Sequence, residues 1–180
     1  MTQHMRNNLP AAATLALAAC LASASGDATA VNRLRSIAQN ATGSCQSALP
    51  VFDGQIRKRP LAVQNEGSAS AFVTCSFAGT ASGVGATRSI SRLLVFADNN
   101  TDNAASLTCT LVDGLSGSSP TYTPKTIALP LNSTLNSFSW TAEDDNGGDN
   151  FFYTVNISCN LPVGTGLTLT YLEYAEDVGD

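Results

Sequence analysis

An alternation of apolar and polar residues with a period of two recurs along this chain, and it indicates half-buried β-strands. The stretch FFYTVNISCNL, residues 151–161, shows it over its full length. The stretches 105–113 and 71–77 repeat it, and in each of the three a cysteine shares the apolar face. The residues predicted to face the core are Phe151, Tyr153, Val155, Ile157, Cys159 and Leu161, then Leu107, Cys109 and Leu111, then Val73, Cys75 and Phe77.

Turn-forming clusters of Gly, Asn and Ser separate these stretches from further strand candidates, and no segment after residue 45 carries a sustained helical period. About eight short strands with inward-facing cysteines predict an all-β fold. We expect an antiparallel two-sheet β-sandwich of jelly-roll or immunoglobulin-like type, with a barrel as the alternative. The additional strand candidates are 60–65, 89–97, 124–130, 135–142 and 166–175.

The acidic loop EDDNGGDN, residues 143–150, is predicted to be a hairpin turn between two of these strands. If consecutive strands run antiparallel, successive loops alternate between the two ends of the sandwich. The long loops 79–87, 114–123 and 143–150 then share one end. The turns NEGS, DNNTDN and PVGTG share the other end, so the acidic loop should adjoin Tyr122 and not the similar DNNTDN.

The N-terminus has the features of an export signal. Arg6 precedes an apolar run over residues 9–21, which is shorter than the ~20 residues that span a bilayer. Residues 1–24 are therefore predicted to be a secretory signal that ends in a small-residue cleavage site. Residues 17–20, Leu-Ala-Ala-Cys, resemble the lipobox of bacterial lipoproteins, which implies the alternative of a signal ending before a lipidated Cys20.

Both readings place the mature protein outside the cytoplasm, either secreted, periplasmic or in the cell envelope, or lipid-anchored there. Residues 25–44 are small and polar and are predicted to be a flexible lead-in, followed by a single β-sandwich domain over 45–180. Removal of the signal takes away Arg6 and changes the net charge of the mature protein from −5 to −6. A negative net charge argues against a nucleic-acid partner, because such binding depends on Lys and Arg that neutralise phosphates. No second apolar run is long enough to predict a membrane span.

Four cysteines remain after the signal, an even number that predicts two disulfides in an oxidising compartment. Three pairings are open, and we favour Cys45 with Cys75 and Cys109 with Cys159. A structural zinc site is disfavoured because no CxxC spacing is present.

The lone histidine, His4, lies within the signal, so the mature chain lacks the Ser-His-Asp and Cys-His arrangements of hydrolases. Carboxylates are the remaining catalytic groups, and a glycan hydrolase would need two of them facing each other. The acids of the 143–150 loop, with Asp113 at the same predicted end, lack the apolar wall that a general acid requires. We therefore predict no enzyme and no catalytic residue.

Calcium suits the same loop better, because it takes oxygen ligands from Asp, Asn and main-chain carbonyls. Asp144, Asn146 and Asp149 are the candidate ligands, although one loop supplies too few oxygens by itself. Tyr122, between two prolines, is the candidate for an exposed aromatic ring that binds a ligand. Trp140 is a second candidate, although its period-two relation to Phe138 favours a core position.

Taken together, these features predict a non-catalytic, exported β-sandwich that serves as a binding or structural module of the cell envelope or extracellular space. The expected partner is an extracellular or envelope glycan or protein. A calcium-assisted carbohydrate-binding module is the first alternative, and a carboxylate-based glycan hydrolase is the less favoured one. No cofactor other than that calcium ion is expected, and the ligand and the oligomeric state are left open.

Overall fold

The computed structural model describes residues 32–77, 90–114, 117, 119–148 and 151–177, most of which lie in strands. Each of the eight predicted strands is present, and three further strands precede them. There are two helical turns, α1 (Ala41–Ser44) and α2 (Ala142–Asp145), and a 3-10 turn at Pro50–Phe52. The strands are β1 (Asn32–Asn40), β2 (Cys45–Ser47), β3 (Ile56–Arg59), β4 (Ala62–Asn65), β5 (Ala71–Ser76), β6 (Ile90–Asn99), β7 (Ala105–Asp113), β8 (Thr121–Leu129), β9 (Ser133–Thr141), β10 (Val155–Leu161) and β11 (Thr165–Asp177).

The strands form two mainly antiparallel sheets. Sheet A has the order β3-β4-β11-β6-β9, with β1 also paired to β11, and sheet B has the order β2-β5-β10-β7-β8. The pairs are nested, since β4 pairs with β11, β5 with β10, β6 with β9, and β7 with β8. Nested pairing arises when one long antiparallel hairpin is rolled into two sheets, as in a jelly roll. The predicted β-sandwich is confirmed, and the jelly-roll type matches this pairing.

The core between the sheets is built from the alternate residues that the period-two pattern indicated. Leu107, Cys109 and Leu111 of β7 are fully buried, and Val73 and Cys75 of β5 are buried in the same way. Burying such side chains removes apolar surface from water, which is the main favourable contribution to folding.

The predicted alternation of core-facing and outward-facing residues was wrong immediately before β10. Phe152, which the pattern turned outward, is fully buried, whereas Tyr153, which it turned inward, is 53% exposed. The reason is that the segment 151–154 does not yet belong to sheet B. The N–H of Phe152 donates to the carbonyl of Ile90 in sheet A at 2.7 Å, and the chain joins sheet B only at Val155.

The turns NEGS, DNNTDN and PVGTG share one end of the sandwich, as strand alternation predicted. The N–H of Gly164 donates to the carbonyl of Asn65 at 2.8 Å, and the carbonyl of Gly164 accepts from the N–H of Asn100 at 3.1 Å. Main-chain hydrogen bonds thus connect three turns that are far apart in the sequence.

Asn65 is fully buried at this end, and its side chain is saturated with main-chain partners. Its Nδ2 donates to the carbonyls of Ala69 and Leu161, both at 2.8 Å, and its Oδ1 accepts from the N–H of Gly67 at 3.0 Å. One amide therefore closes the turn after β4 and holds the last residue of β10 in the other sheet.

Asn99 repeats this arrangement at the end of β6. Its Nδ2 donates to the carbonyls of Asn103 at 2.8 Å and Leu129 at 3.3 Å, and its Oδ1 accepts from the N–H of Thr101 at 3.1 Å. Leu129 is the last residue of β8 in sheet B. Both asparagines thus satisfy buried main-chain groups that would otherwise lose water without replacement.

The two disulfides join Cys45 to Cys75 and Cys109 to Cys159, which is the favoured pairing. Each connects residues that are directly opposite on neighbouring strands of sheet B. They close loops with sequence separations of 30 and 50 residues, and such loops contribute about 4 kcal/mol each by restricting the unfolded chain.

The expectation of a flexible lead-in was wrong for residues 32–44, which form β1 and α1. The hydroxyl of Thr170 in β11 donates to the carbonyl of Gln39 in β1 at 3.3 Å, and Ala41 is fully buried. Most of the described side chains of β1 are exposed, so the strand has no buried face and leaves no alternation in the sequence. The predicted signal and Cys20 lie outside the described residues. In the part of the chain that is described, no helix is long and apolar enough to cross a bilayer.

Candidate functional site

The outer face of sheet B carries uncharged side chains across all five strands. These residues alternate with the buried ones and therefore point away from the core. Lys125, the one cation of β8, has the opposite parity and lies on the inner side. None of the outer-face residues is charged, and they are Gln46, Phe72, Thr74, Ser76, Ser106, Thr108, Thr110, Val112, Tyr122, Pro124, Thr126, Ala128, Asn156, Ser158 and Asn160.

One row of this face runs across the sheet near the end that carries α2. Ser76, Asn156, Val112 and Tyr122 are register partners on β5, β10, β7 and β8. Three strand spacings separate the first from the last, which corresponds to ~14 Å. The row is therefore long enough to contact several units of an extended ligand.

Hydroxyls and amides on this face provide both donors and acceptors. The hydroxyls of Thr108 and Thr126 hydrogen-bond each other at 2.8 Å across β7 and β8. The Oδ1 atom of Asn160 is enclosed by protein and accepts no hydrogen bond from the described residues. Such a surface matches a neutral ligand rich in hydroxyl groups, because neither partner has to desolvate an unpaired charge.

Two exposed tyrosines lie at the same end of the sandwich, Tyr122 on β8 and Tyr153 just before β10. Their side chains are 65% and 53% exposed. Asp113 fixes the chain that carries the second ring, because its Oδ1 accepts the main-chain N–H groups of Tyr153 and Thr154, both at 2.7 Å. The sequence pattern predicted an exposed ring for Tyr122 but not for Tyr153, which it placed in the core. The run of aromatics that opens residues 151–161 is the only signal that marked this segment as unusual.

Trp140, the second aromatic candidate, is not available to a ligand. Its ring is fully buried and packs against Phe138, with ring centroids 5.0 Å apart. Its Nε1 donates to the carbonyl of Thr123 at 2.8 Å. This indole therefore belongs to the core, where it connects β9 of sheet A to β8 of sheet B.

The acidic loop is not a hairpin turn, and that prediction was wrong. β9 ends at Thr141 in sheet A and β10 begins at Val155 in sheet B, so the strands on either side of this loop belong to different sheets and do not form a hairpin. The loop begins with the helical turn α2 and continues through Gly147 and Gly148, whose φ angles are 66° and 88°. Glycine adopts these left-handed conformations at little cost, which accounts for the pair of glycines at the bend.

Three of the described polar side chains of this loop, those of Asp144, Asp145 and Asn146, make hydrogen bonds within the protein. Asp145 Oδ2 accepts from Lys125 Nζ at 2.7 Å and from the N–H of Thr141 at 2.9 Å. Asp144 Oδ2 accepts from the hydroxyl of Thr141 at 2.7 Å, and Asn146 Nδ2 donates to the carbonyl of Phe151 at 2.9 Å. These contacts position α2 against the two edge strands.

The calcium hypothesis named Asp144, Asn146 and Asp149. The first two have separate partners, and Asp149 lies outside the described residues. Within the ranges that the structure describes, no three His, Cys, Asp or Glu side chains come together as a metal-binding group. None of these observations tests calcium binding by this loop.

A cleft opens beside the outer face, where α1 crosses from β1 of sheet A to β2 of sheet B. Its volume is about 530 Å³, in the range of small-ligand pockets. Ser76 belongs both to the cleft and to the row that ends at Tyr122, so the two surfaces are continuous. The cleft is lined by Gln39, Asn40, Thr42, Gly43, Ser44 and Ser76, and none of these six residues is charged.

No protein-family model matches this sequence, and no curated protein matches it significantly. Among solved structures, a family two carbohydrate esterase from Cellvibrio japonicus aligns with a TM-score of 0.46 at 10% identity, over 81% of this chain and 36% of that one. A structure of carbohydrate-binding modules from the β-sandwich superfamily aligns with a TM-score of 0.35 at 12% identity, over 88% and 58%. A module in complex with β-1,4-galactotriose aligns with a TM-score of 0.30 at 7% identity, over 79% and 88%.

The chain therefore spans well under two thirds of the length of the first two of these structures. At such identities and TM-scores, these matches do not assign a family or a function to this chain.

Proposed function

We propose that this protein is a non-catalytic binding module of the extracellular space or cell envelope, and that it recognises an uncharged glycan. The binding surface is the outer face of sheet B together with Tyr122 and Tyr153. The observation that carries this proposal is the complete absence of charge among the outer-face residues, next to two exposed tyrosine rings.

The chemistry of this surface fits a neutral sugar. Hydroxyl and amide side chains can donate to and accept from sugar hydroxyls, and a tyrosine ring offers a flat apolar body with a polar tip. Charged ligands would require opposite charges on this face to compensate for their lost hydration. The outer face offers no such group.

A binding role without catalysis is supported by two of the carboxylates at this end. Asp113 holds two main-chain N–H groups, and Asp145 is paired with Lys125. Both acids thus stabilise the fold, and neither is free to serve as the acid or base of a glycan hydrolase.

Export of the domain is supported by its two disulfides, which are typical of proteins in oxidising compartments. We propose that residues 1–24 are removed as a secretory signal, with lipidation at Cys20 as the alternative. Mass spectrometry of the mature protein distinguishes an N-terminal Ser25 from a lipidated Cys20. A retained N-terminal Met would contradict both.

The binding proposal is tested with the purified protein on a panel of neutral glycans and insoluble polysaccharides. We expect Tyr122→Ala and Tyr153→Ala each to weaken binding about tenfold, the loss of one aromatic contact. Tyr153→Ala leaves the hydrogen bond to Asp113 intact, because Asp113 accepts from the main-chain N–H of residue 153. Leu131→Ala is the control, because Leu131 is 56% exposed and lies in the link after β8 at the opposite end.

Wild-type protein that retains no glycan from the panel would refute the proposal. Equal weakening by Leu131→Ala would show that the effect is not specific to the outer face.

A further inference from the structure

We propose that the cleft lined by Gln39, Asn40, Thr42, Gly43, Ser44 and Ser76 is the terminal subsite of this glycan-binding surface, where it holds the last sugar unit of a neutral oligosaccharide. This inference rests on the proposed function and adds a location, a ligand class and a direction for the bound chain.

The cleft adjoins the outer face of sheet B at Ser76. Ser76 is the last residue of β5 and forms the wall that the cleft shares with the outer face. From Ser76 the row of register partners continues through Asn156 to Tyr122, ~14 Å away. An extended oligosaccharide stacked on Tyr122 and lying along this row reaches the cleft with one end.

The side chains that line the cleft are suited to sugar hydroxyls. Gln39, Asn40, Thr42 and both serines provide amides and hydroxyls, which are donors and acceptors at once. Asn40 occupies the N-cap position of α1, yet its side chain makes no capping hydrogen bond. Its amide is thus not used to cap the helix and can donate to or accept from a ligand in the cleft.

Gly43 lines the cleft without filling it. A Cβ atom built on this residue would meet nothing within 4 Å, and its φ angle lies outside the left-handed region. The backbone therefore does not require glycine here, and the absence of a side chain keeps the cleft open.

Gly43→Leu places a side chain in the cleft, and its Cβ atom meets nothing within 4 Å, so we expect this substitution to affect binding more than folding. The matched control is Gly54→Leu, because a Cβ on Gly54 also meets nothing within 4 Å and this residue does not line the cleft. The probes are neutral oligosaccharides of two to six units, chosen from the glycan class that the wild-type protein binds best.

We expect Gly43→Leu to weaken binding of the long oligosaccharides about tenfold and to leave the shortest ones unchanged, because a short ligand need not extend from Tyr122 to the cleft. Asn40→Ala should show the same dependence on length to a smaller degree. Gly54→Leu should bind every probe like the wild type.

Wild-type affinity of Gly43→Leu for every length would overturn this inference, and the proposed function would survive if Tyr122→Ala still weakened binding. Equal weakening at every length would also overturn it, since the cleft would then not be a terminal subsite. A wild-type protein that binds none of the probes would overturn both.

Discussion

Lys125 and Asp145 connect the two sheets at the edge where β8 and β9 lie side by side. Lys125 belongs to β8, the edge strand of sheet B, and Asp145 follows β9, the edge strand of sheet A. Lys125 Nζ lies 2.7 Å from Asp145 Oδ2 and also donates to the carbonyl of Ser139 at 2.8 Å. The ammonium group thus occupies a main-chain acceptor of an edge strand, a site at which other chains could otherwise pair.

Replacing this lysine should destabilise the protein. Lys125→Met keeps the apolar stem but leaves the carboxylate of Asp145, which is only 10% exposed, without its cation. Because the lysine side chain is 34% exposed, we expect a loss of about 1–2 kcal/mol, less than for a fully buried pair. Urea unfolding followed by the fluorescence of the buried Trp140 measures it.

Lys58→Met is the control for this substitution, because the only contact of the Lys58 ammonium, among the described residues, is the carbonyl of Thr42 at 3.2 Å. A double-mutant cycle with Asp145→Asn should show a coupling of about 1 kcal/mol. Additive effects of the two substitutions would contradict a direct interaction.

Asn99→Ala should cost about 2–4 kcal/mol, because it removes the side chain that hydrogen-bonds the carbonyls of Asn103, Leu129 and Pro130 and the N–H of Thr101. Asn99→Asp should be at least as harmful, since it replaces the donor with an oxygen that faces three carbonyl oxygens. Thermal unfolding of the two variants compares these losses. A melting temperature equal to that of the wild type would show that water replaces the amide.

Each disulfide should contribute about 4 kcal/mol, and the one that closes the longer loop slightly more. The double substitution of Cys109 and Cys159 by alanine should therefore destabilise the protein at least as much as that of Cys45 and Cys75. Urea titrations at equal protein concentration give the two values. A much smaller loss for the Cys109–Cys159 pair would show that the reduced, unfolded chain retains structure there.

Calcium should leave the melting temperature unchanged, because Asp144 Oδ2 already accepts from the hydroxyl of Thr141 and no three acidic, histidine or cysteine side chains come together among the described residues. The measurement compares melting in millimolar calcium with melting in a chelator. A melting temperature that rises with the logarithm of the calcium concentration would contradict this expectation and support a metal site in the acidic loop.

The pKa of Glu66 should depend on Arg59. The hydrogen bonds from the Arg59 guanidinium, at 2.6 and 2.7 Å, lower the pKa of the Glu66 carboxyl. Stabilisation from a lowered pKa is present above the ordinary value of a glutamate and is lost as the pH falls through the folded value. An NMR titration of Arg59→Gln should show the pKa of Glu66 raised toward its ordinary value. Arg57→Gln should change it less, and an unchanged pKa in Arg59→Gln would contradict this assignment.

The acidic loop shows where sequence reasoning reached its limit. Its composition correctly indicated a bend that needs glycine, since Gly147 and Gly148 adopt left-handed conformations. Composition did not show that the bend crosses between sheets, because that depends on the partners of β9 and β10. For the same reason, the predicted alternation wrongly placed Tyr153 in the core and Phe152 on the outside, because it treated residues 151–154 as part of β10.

The sequence by itself determined eight of the eleven described strands, the faces of their cysteines and the end at which NEGS, DNNTDN and PVGTG lie. These properties are local, because the direction of a side chain in a strand depends only on its parity. The tertiary structure decided the jelly-roll pairing, the hydrogen bond from Trp140 to Thr123 of the other sheet, the use of Asp145 as the partner of Lys125 and the continuity of the cleft with the outer face. These features join residues that are distant in sequence, and their positions depend on which strands pack together.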